Sequence, residues 1–242
     1  ICEIGSMDPA AARIAIVGDS HIGNWFFGFD EAGQKNNWRI TTFAKTSCPP
    51  TRATRVLTEE QTTDNQEECA GWQRSVLAEL AANDEISVVV VSSYSSAYKW
   101  TQPGPGPDLE DPPVDGFAEF FAEIADQGKQ VVVIKAVPRT NGLNVPQCLI
   151  DNNDDPLACA ASREEALPAD PMEAAVRKLD RPEVRLVNLD DQFCDAQTCY
   201  PVVGDIIAYR DRSHLSSQYS QALMPWVTPA LERALELASG AH

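Results

Sequence analysis

Two short stretches of the chain hold residue types able to do chemistry. Residues 13–24 read Arg-Ile-Ala-Ile-Val-Gly-Asp-Ser-His-Ile-Gly-Asn. Within them, residues 14–17 are an apolar, mostly β-branched run, which reads as a buried strand. Gly18 ends that run, and Ser20 follows where the strand turns into an amphipathic stretch over residues 22–34. A serine there sits at the carboxyl end of a strand, the edge where open α/β sheets bind ligands. It also sits at the amino end of a helix, whose free N–H groups and positive dipole end suit a developing oxyanion. The plainer alternative is that Ser20 or Asp19 caps the helix.

Residues 209–216 are the second stretch and read Tyr-Arg-Asp-Arg-Ser-His-Leu-Ser. Asp211 and His214 are three apart, and at the start of a helix such a pair lies on one face. A carboxylate can hold one imidazole nitrogen there and leave the other free to take a proton. The chain has 3 histidines. His242 is terminal and His21 adjoins the serine, which leaves His214 as the candidate base. The plainer alternative is a surface histidine near a helix start, with Asp211 as its cap.

The two stretches together resemble the SGNH (GDSL-like) hydrolase superfamily. Gly18-Asp19-Ser20 matches its first block, and Asp211-Arg212-Ser213-His214 matches its last, D-x-x-H. The closer resemblance is to the extracytoplasmic SGNH domain of bacterial acyltransferase-3 (O-acyltransferase) membrane proteins. Three details carry it: G-D-S-H instead of G-D-S-L, Ser-Cys-Pro-Pro after the second strand, and Tyr-Arg-Asp-x-x-His-Leu-Ser near the end. The resemblance implies Ser20 as nucleophile, His214 as base and Asp211 as its orienting carboxylate. Asp19 is expected to brace the turn. The Ser20 N–H is the first expected oxyanion donor. The family also supplies a glycine from a second block and an asparagine from a third. Residues 44–48 (Ala-Lys-Thr-Ser-Cys) hold no such glycine, and residues 92–94 (Ser-Ser-Tyr) no such asparagine. Thr46, Ser47 and Ser92 are the candidate substitutes, with ordinary loop hydrogen bonding as the alternative for each.

Composition narrows the classes. The formal net charge is −17, which disfavours a phosphate-neutralising nucleic-acid surface. No apolar run approaches the ~18 residues that span a bilayer. The chain holds 7 cysteines without a C-x-x-C spacing, too many for a typical cytosolic protein. A disulfide framework in an oxidising compartment is expected. The expected pairs are local and flank loops: Cys48–Cys69, Cys148–Cys159 and Cys194–Cys199, with Cys2 unpaired or joined to something upstream. The acidic runs at residues 108–111 and 151–155 lack EF-hand spacing, so no metal site is expected, and no cofactor.

Read in order, residues 1–12 look like a leader or the end of a linker, followed by one SGNH-like domain over residues 13–242. Strands are expected over residues 14–17, 38–43, 86–91, 131–137 and 184–189. Helices are expected over residues 22–34, 69–82, 115–128, 172–179 and from 215 onward, the last kinked or split at Pro225 and Pro229. Residues 51–68 read as a polar surface excursion, 101–113 as an irregular proline-rich loop, 138–170 as a long connection, and 194–209 as holding a small hairpin. Tyr94, Tyr98 and Trp100 either offer a sugar-stacking rim or cover the sheet edge. Alternating strands and helices predict an α/β fold with helices on both faces of a parallel sheet. That agrees with the flavodoxin-like, three-layer α/β/α sandwich of about five strands that the resemblance implies.

The resemblance further implies O-acyl transfer, of acetyl, to a cell-envelope carbohydrate hydroxyl outside the cytoplasm. An acyltransferase-3 domain embedded in the membrane and lying upstream in the same protein would be the partner and tether. The alternatives are an esterase with water as acceptor, and a non-catalytic glycan-binding module, which the missing second- and third-block residues favour.

Overall fold

A six-stranded sheet carries the site at one of its edges. Its strands are β1 (Cys2–Gly5), β2 (Ala12–Gly18), β3 (Trp38–Ala44), β4 (Ile86–Ser92), β5 (Gln130–Ile134) and β6 (Val184–Val187). The order is β1-β3-β2-β4-β5-β6. Strands β2 to β6 run parallel, and β1 pairs antiparallel with β3. The computed structural model describes residues 1–55, 63–100, 111–153 and 155–240. Residues 56–62 of the polar stretch, 101–110 of the proline-rich stretch, Asp154 of the second acidic run and His242 lie outside them.

Strand β1 takes residues 2–5 of the stretch read as a leader or the end of a linker into the sheet. Cys2 to Gly5 register against Thr42 to Arg39 and extend the sheet by one strand. Strand β1 pairs along β3, the Gly5 N–H donates to Asp30 Oδ1 at 2.8 Å, and Gly5 passes close beside Gly33, where a Cβ on Gly33 would lie 2.8 Å from the Gly5 Cα.

The helices are α1 (Phe26–Asn36), α2 (Thr63–Ala81), α3 (Pro112–Ala125), α4 (Val145–Asp151), α5 (Pro171–Leu179) and α6 (Ser217–Gly240). Alternate strand residues divide between two apolar layers, as the two-residue period of a strand requires. Ile14, Ile16, Val88, Val90, Val132 and Ile134 join Phe29 of α1 and Leu223, Val227 and Leu231 of α6. Ala15, Val17, Val89, Val91, Val131 and Val133 join Val76 and Leu80 of α2, Phe117 and Phe121 of α3, and Met172 of α5. Both faces are therefore covered, which is why these strands read as nearly continuous apolar runs.

The last helix is not split at its prolines. Helix α6 runs unbroken through Pro225 and Pro229. Both prolines are exposed, as is Gln221, whose carbonyl loses its partner at Pro225. Water can satisfy carbonyls freed on that side, so the helix continues. The long connection over residues 138–170 is also more ordered than expected. It holds α4, a single helical turn over Arg163–Ala166, and the Cys148–Cys159 bridge. The expected hairpin is present, with Val202–Val203 paired to Ile206–Ile207.

Gly18 closes β2 where no side chain fits. A Cβ there would lie 1.9 Å from the Ser92 carbonyl oxygen and 2.8 Å from the Ile22 side chain. Gly18→Ala must therefore push β2 away from β4 at the end of the strand, and its expected cost is about 3 kcal/mol. Urea unfolding of the variant measures this directly; a loss below about 1 kcal/mol means the strand ends can move apart.

Candidate active site

Strand β3 lies on one side of β2, and the next strand, β4, lies on the other. Such a reversal opens a crevice at the carboxyl ends of β2 and β4. Gly18 ends β2 at that crevice, and the chain then makes a 3₁₀ turn over Ile22–Trp25 before entering α1. Ser20 stands at the head of the turn, its carbonyl accepting from the Gly23 N–H at 3.1 Å. Among the described residues nothing accepts from the Ser20 N–H.

The second block reaches Ser20 from α6's side. Tyr209 and Leu215 form an antiparallel bridge, and the Arg210 N–H donates to the His214 carbonyl at 2.9 Å, closing residues 210–214 into a loop. Asp211 Oδ1 accepts from the Ser213 and His214 backbone N–H groups at 2.9 and 2.8 Å. The expectation that this pair sits at a helix start is thereby corrected. A side-chain-capped turn aligns Asp211 with His214, and α6 begins only at Ser217.

His214 Nδ1 lies 2.9 and 3.1 Å from the two Asp211 oxygens, and His214 Nε2 lies 3.0 Å from Ser20 Oγ. Burial pushes the Asp211 carboxyl upward, but its two backbone N–H bonds and the bond and charge of His214 together hold it below the usual carboxylate range. An ionised carboxylate only accepts, so Nδ1 carries the hydrogen and Nε2 is left to accept the Ser20 O–H. Asn24 ties the two blocks together, its Oδ1 accepting from the Leu215 N–H at 3.3 Å.

Asp19 braces the turn from within. It is fully buried, and its Oδ1 accepts from the His21 N–H at 2.8 Å. Its Oδ2 accepts from Ser93 Oγ at 2.7 Å, the Tyr94 N–H at 3.0 Å and the Tyr98 hydroxyl at 2.6 Å. A second buried carboxylate, Asp170, caps α5 and accepts from Ser95 Oγ and the Ala136 N–H. Burial raises its pKa, against those three bonds and the charge of Lys135. The Asp-Pro pair at residues 170–171 is the local sequence signal for that cap.

Ser92 is 3% exposed, and its Oγ accepts the Trp25 indole N–H at 3.2 Å, which places it in the framework between β4 and the 3₁₀ turn. Ser47 has a φ of 59° and, with Thr46, lines a polar cavity beside the Cys48–Cys69 bridge. Among the described residues no hydrogen bond joins Ser47 to Ser20. Trp100 meets Tyr98 and Phe117 edge-on at 5.8 and 5.7 Å, so these two aromatics pack toward the core.

His21 is more than a neighbour of the serine. Its ring stacks on Tyr94 at 4.2 Å with 8° between planes, and lies 4.8 Å from the His214 ring. Its Nε2 is buried and has no hydrogen-bond partner among the described residues. Desolvation dominates and lowers its pKa to about 4, opposed chiefly by the charge of Asp19. In the unfolded chain an imidazole titrates near 6.5. Between those values the unfolded state binds the extra proton, so stability falls as pH drops from about 6.5 to about 4. His21→Phe keeps the stack and removes the titration. We expect the loss of stability between pH 7 and pH 5 to shrink by about 2 kcal/mol in this variant. Urea titrations at the two pH values test it, and an unchanged difference would show that His21 is already protonated or already solvated.

The three disulfides are Cys48–Cys69, Cys148–Cys159 and Cys194–Cys199, and Cys2 is exposed and free. They fit an extracytoplasmic protein. No helix among the described residues is long and apolar enough to cross a membrane.

Solved structures share this fold. The fold matches the periplasmic domain of a lipopolysaccharide acetyltransferase from Salmonella ser. Paratyphi A, with a TM-score of 0.66 at 16% identity, over 93% of this chain and 85% of that one. It also matches a putative acylhydrolase from Bacteroides fragilis, with a TM-score of 0.52 at 12% identity, over 94% of this chain and 90% of that one. No curated protein matches in sequence. Identities this low speak for the fold alone. Residues 1–229 match the SGNH domain that occurs fused to AT3 domains, a match that takes in β1 and runs through the 209–216 block into α6. The chain belongs to that family of SGNH domains.

Proposed function

We propose that this domain is an O-acyltransferase, moving an acetyl group through an acyl-enzyme on Ser20 to a carbohydrate hydroxyl of the cell envelope. The observation that carries the reading is the unbroken contact from Asp211 through His214 to Ser20 Oγ at the switch point of the sheet. Ser20 Oγ attacks the acyl carbonyl while His214 Nε2 takes its proton and passes it to the departing alcohol. The acceptor hydroxyl then attacks the acyl-serine, and its proton returns through His214 to Ser20. Asp211 holds the imidazole in the working tautomer and stabilises the imidazolium. The Ser20 N–H is the first oxyanion donor. An AT3 domain in the membrane would deliver the acyl group, in keeping with the family's fusion to AT3 domains.

Intact-protein mass spectrometry after brief exposure to an activated acetyl ester tests the acyl-enzyme. Wild type is expected to gain one acetyl group, and Ser20→Ala none. Adding an oligosaccharide acceptor should then divert acetyl from water to sugar, because a bound hydroxyl reacts at a high effective molarity. Fast release to water with no acylated sugar would favour an esterase. A non-catalytic glycan-binding module is the second reading, and one observation favours it: the Tyr94 N–H is taken by Asp19 and the Ser92 hydroxyl is buried, so the third block offers little to an oxyanion. A wild-type protein that never gains the acetyl group would support that module.

A further inference from the structure

We infer that the cavity beside the Cys48–Cys69 bridge is a subsite for an anionic group, a carboxylate or a phosphate, carried by the acceptor sugar. The inference rests on the reading above for its acceptor, but not for its cavity. The space measures about 280 Å³ and is lined by Lys45, Thr46, Ser47, Arg55, Asn65 and Glu68 among others. That is close to the lower end of ligand pockets, enough for one sugar unit or part of one.

Arg55 supplies the argument. It is 7% exposed, and its guanidinium makes no hydrogen bond or ion pair among the described residues. Its one side-chain partner among them is the Tyr98 ring, whose centroid lies 4.9 Å from Cζ. Lys45, the other cation on the wall, pairs with Glu68 at 3.4 Å. Among the described residues, the charge left without a counterion is therefore that of Arg55. A buried cation without a carboxylate is costly, the more noticeably so in a chain of net charge −17 that has many to offer. A bound anion would offset that cost, and a planar guanidinium suits carboxylate or phosphate oxygens.

The cavity also adjoins the nucleophile's strand end. The Lys45 N–H donates to the Gly18 carbonyl at 3.1 Å, so the cavity wall starts level with the last residue of β2. The Arg55 side chain rests on Tyr98, the Tyr98 hydroxyl donates to Asp19, and Asp19 precedes Ser20. An acceptor anchored there has its remaining hydroxyls on the side of the switch point.

The test is binding, read by amide chemical shifts on the intact 242-residue chain. The probes are D-glucuronate, D-glucose 6-phosphate and D-glucose. We expect both charged sugars to bind more tightly than glucose by about tenfold, and to shift the amides of Lys45, Thr46 and Ser47. Whichever charged sugar binds tighter identifies the anion as carboxylate or phosphate. Arg55→Gln should bring the charged sugars down to the affinity of glucose, and Arg55→Lys should restore part of the difference. If Arg55→Gln fails to fold, wild type still decides: rising NaCl should weaken glucuronate and leave glucose unchanged. Equal binding of all three sugars, or shifts confined to other surfaces, would overturn the subsite. Loss of the acyl-enzyme with this binding intact would instead overturn the transferase reading.

Discussion

Turnover of an activated acetyl ester is expected to fall by at least ~10³-fold in Ser20→Ala and in His214→Ala, a loss of about 4 kcal/mol of transition-state stabilisation. Among the described residues, Ser20 Oγ has one base within reach, the Nε2 of His214 at 3.0 Å. Without it the hydroxyl must attack as a neutral and poor nucleophile. Asp211→Asn is the more informative variant. Its Oδ1 can still accept from the Ser213 and His214 N–H groups, so the turn is kept. Its amide nitrogen would then face His214 Nδ1 as a donor, which moves the imidazole hydrogen to Nε2. In that tautomer Nε2 no longer accepts from Ser20. The Asp211 side chain is 41% exposed, so water offers a partial substitute, and its loss should be smaller than that of the other two. Double variants should fall no further than the worse single, because the three groups act as one unit. Additive losses, or wild-type turnover in Ser20→Ala, would reject the assignment.

Asp19→Ala is expected to cost about 3–5 kcal/mol of stability, the largest loss from any one side chain around the site. Removing the carboxylate leaves four donors without a partner: the His21 and Tyr94 N–H groups and the Ser93 and Tyr98 hydroxyls. All of them belong to the two segments that form the crevice, residues 19–21 and 93–98. The loss should therefore reach activity as well, since the turn that aims Ser20 is fastened to β4 through this carboxylate. Asp19→Asn keeps the shape but turns two donors toward Ser93 and Tyr98, so it should recover only part of the loss. Urea unfolding with parallel ester assays measures both effects. A destabilisation below about 1 kcal/mol would mean that water replaces the carboxylate and that Asp19 is not the brace.

Much of this architecture was legible in the chain itself. Apolar runs such as residues 86–91 are continuous because both faces of the strand are covered, and that continuity marks a parallel sheet. The residues of the two blocks, Gly18-Asp19-Ser20 and Asp211 to His214, could be named because each block is local. Strand β1 was not legible. Its four residues alternate weakly, and only pairing with β3, some forty positions away, makes them a strand. The helix-start reading of Asp211 and His214 failed for a related reason. Spacing of three fits a helix face and a capped turn equally, and the Tyr209–Leu215 bridge decides between them.

The sequence by itself determined the five parallel strands and which residues are candidates for the chemistry, because periodicity, strand ends and turn residues act over a few positions. The tertiary structure alone decided which polar groups satisfy one another. Ser93 and Tyr98 reach Asp19 across 74 and 79 positions, and His214 reaches Ser20 across 194. The same structure set the Ser92 hydroxyl against the Trp25 indole and, among the described residues, left the guanidinium of Arg55 without a carboxylate at a cavity wall. Hydrogen bonds and burial depend on what the fold brings alongside, and no local pattern in the chain encodes that neighbour.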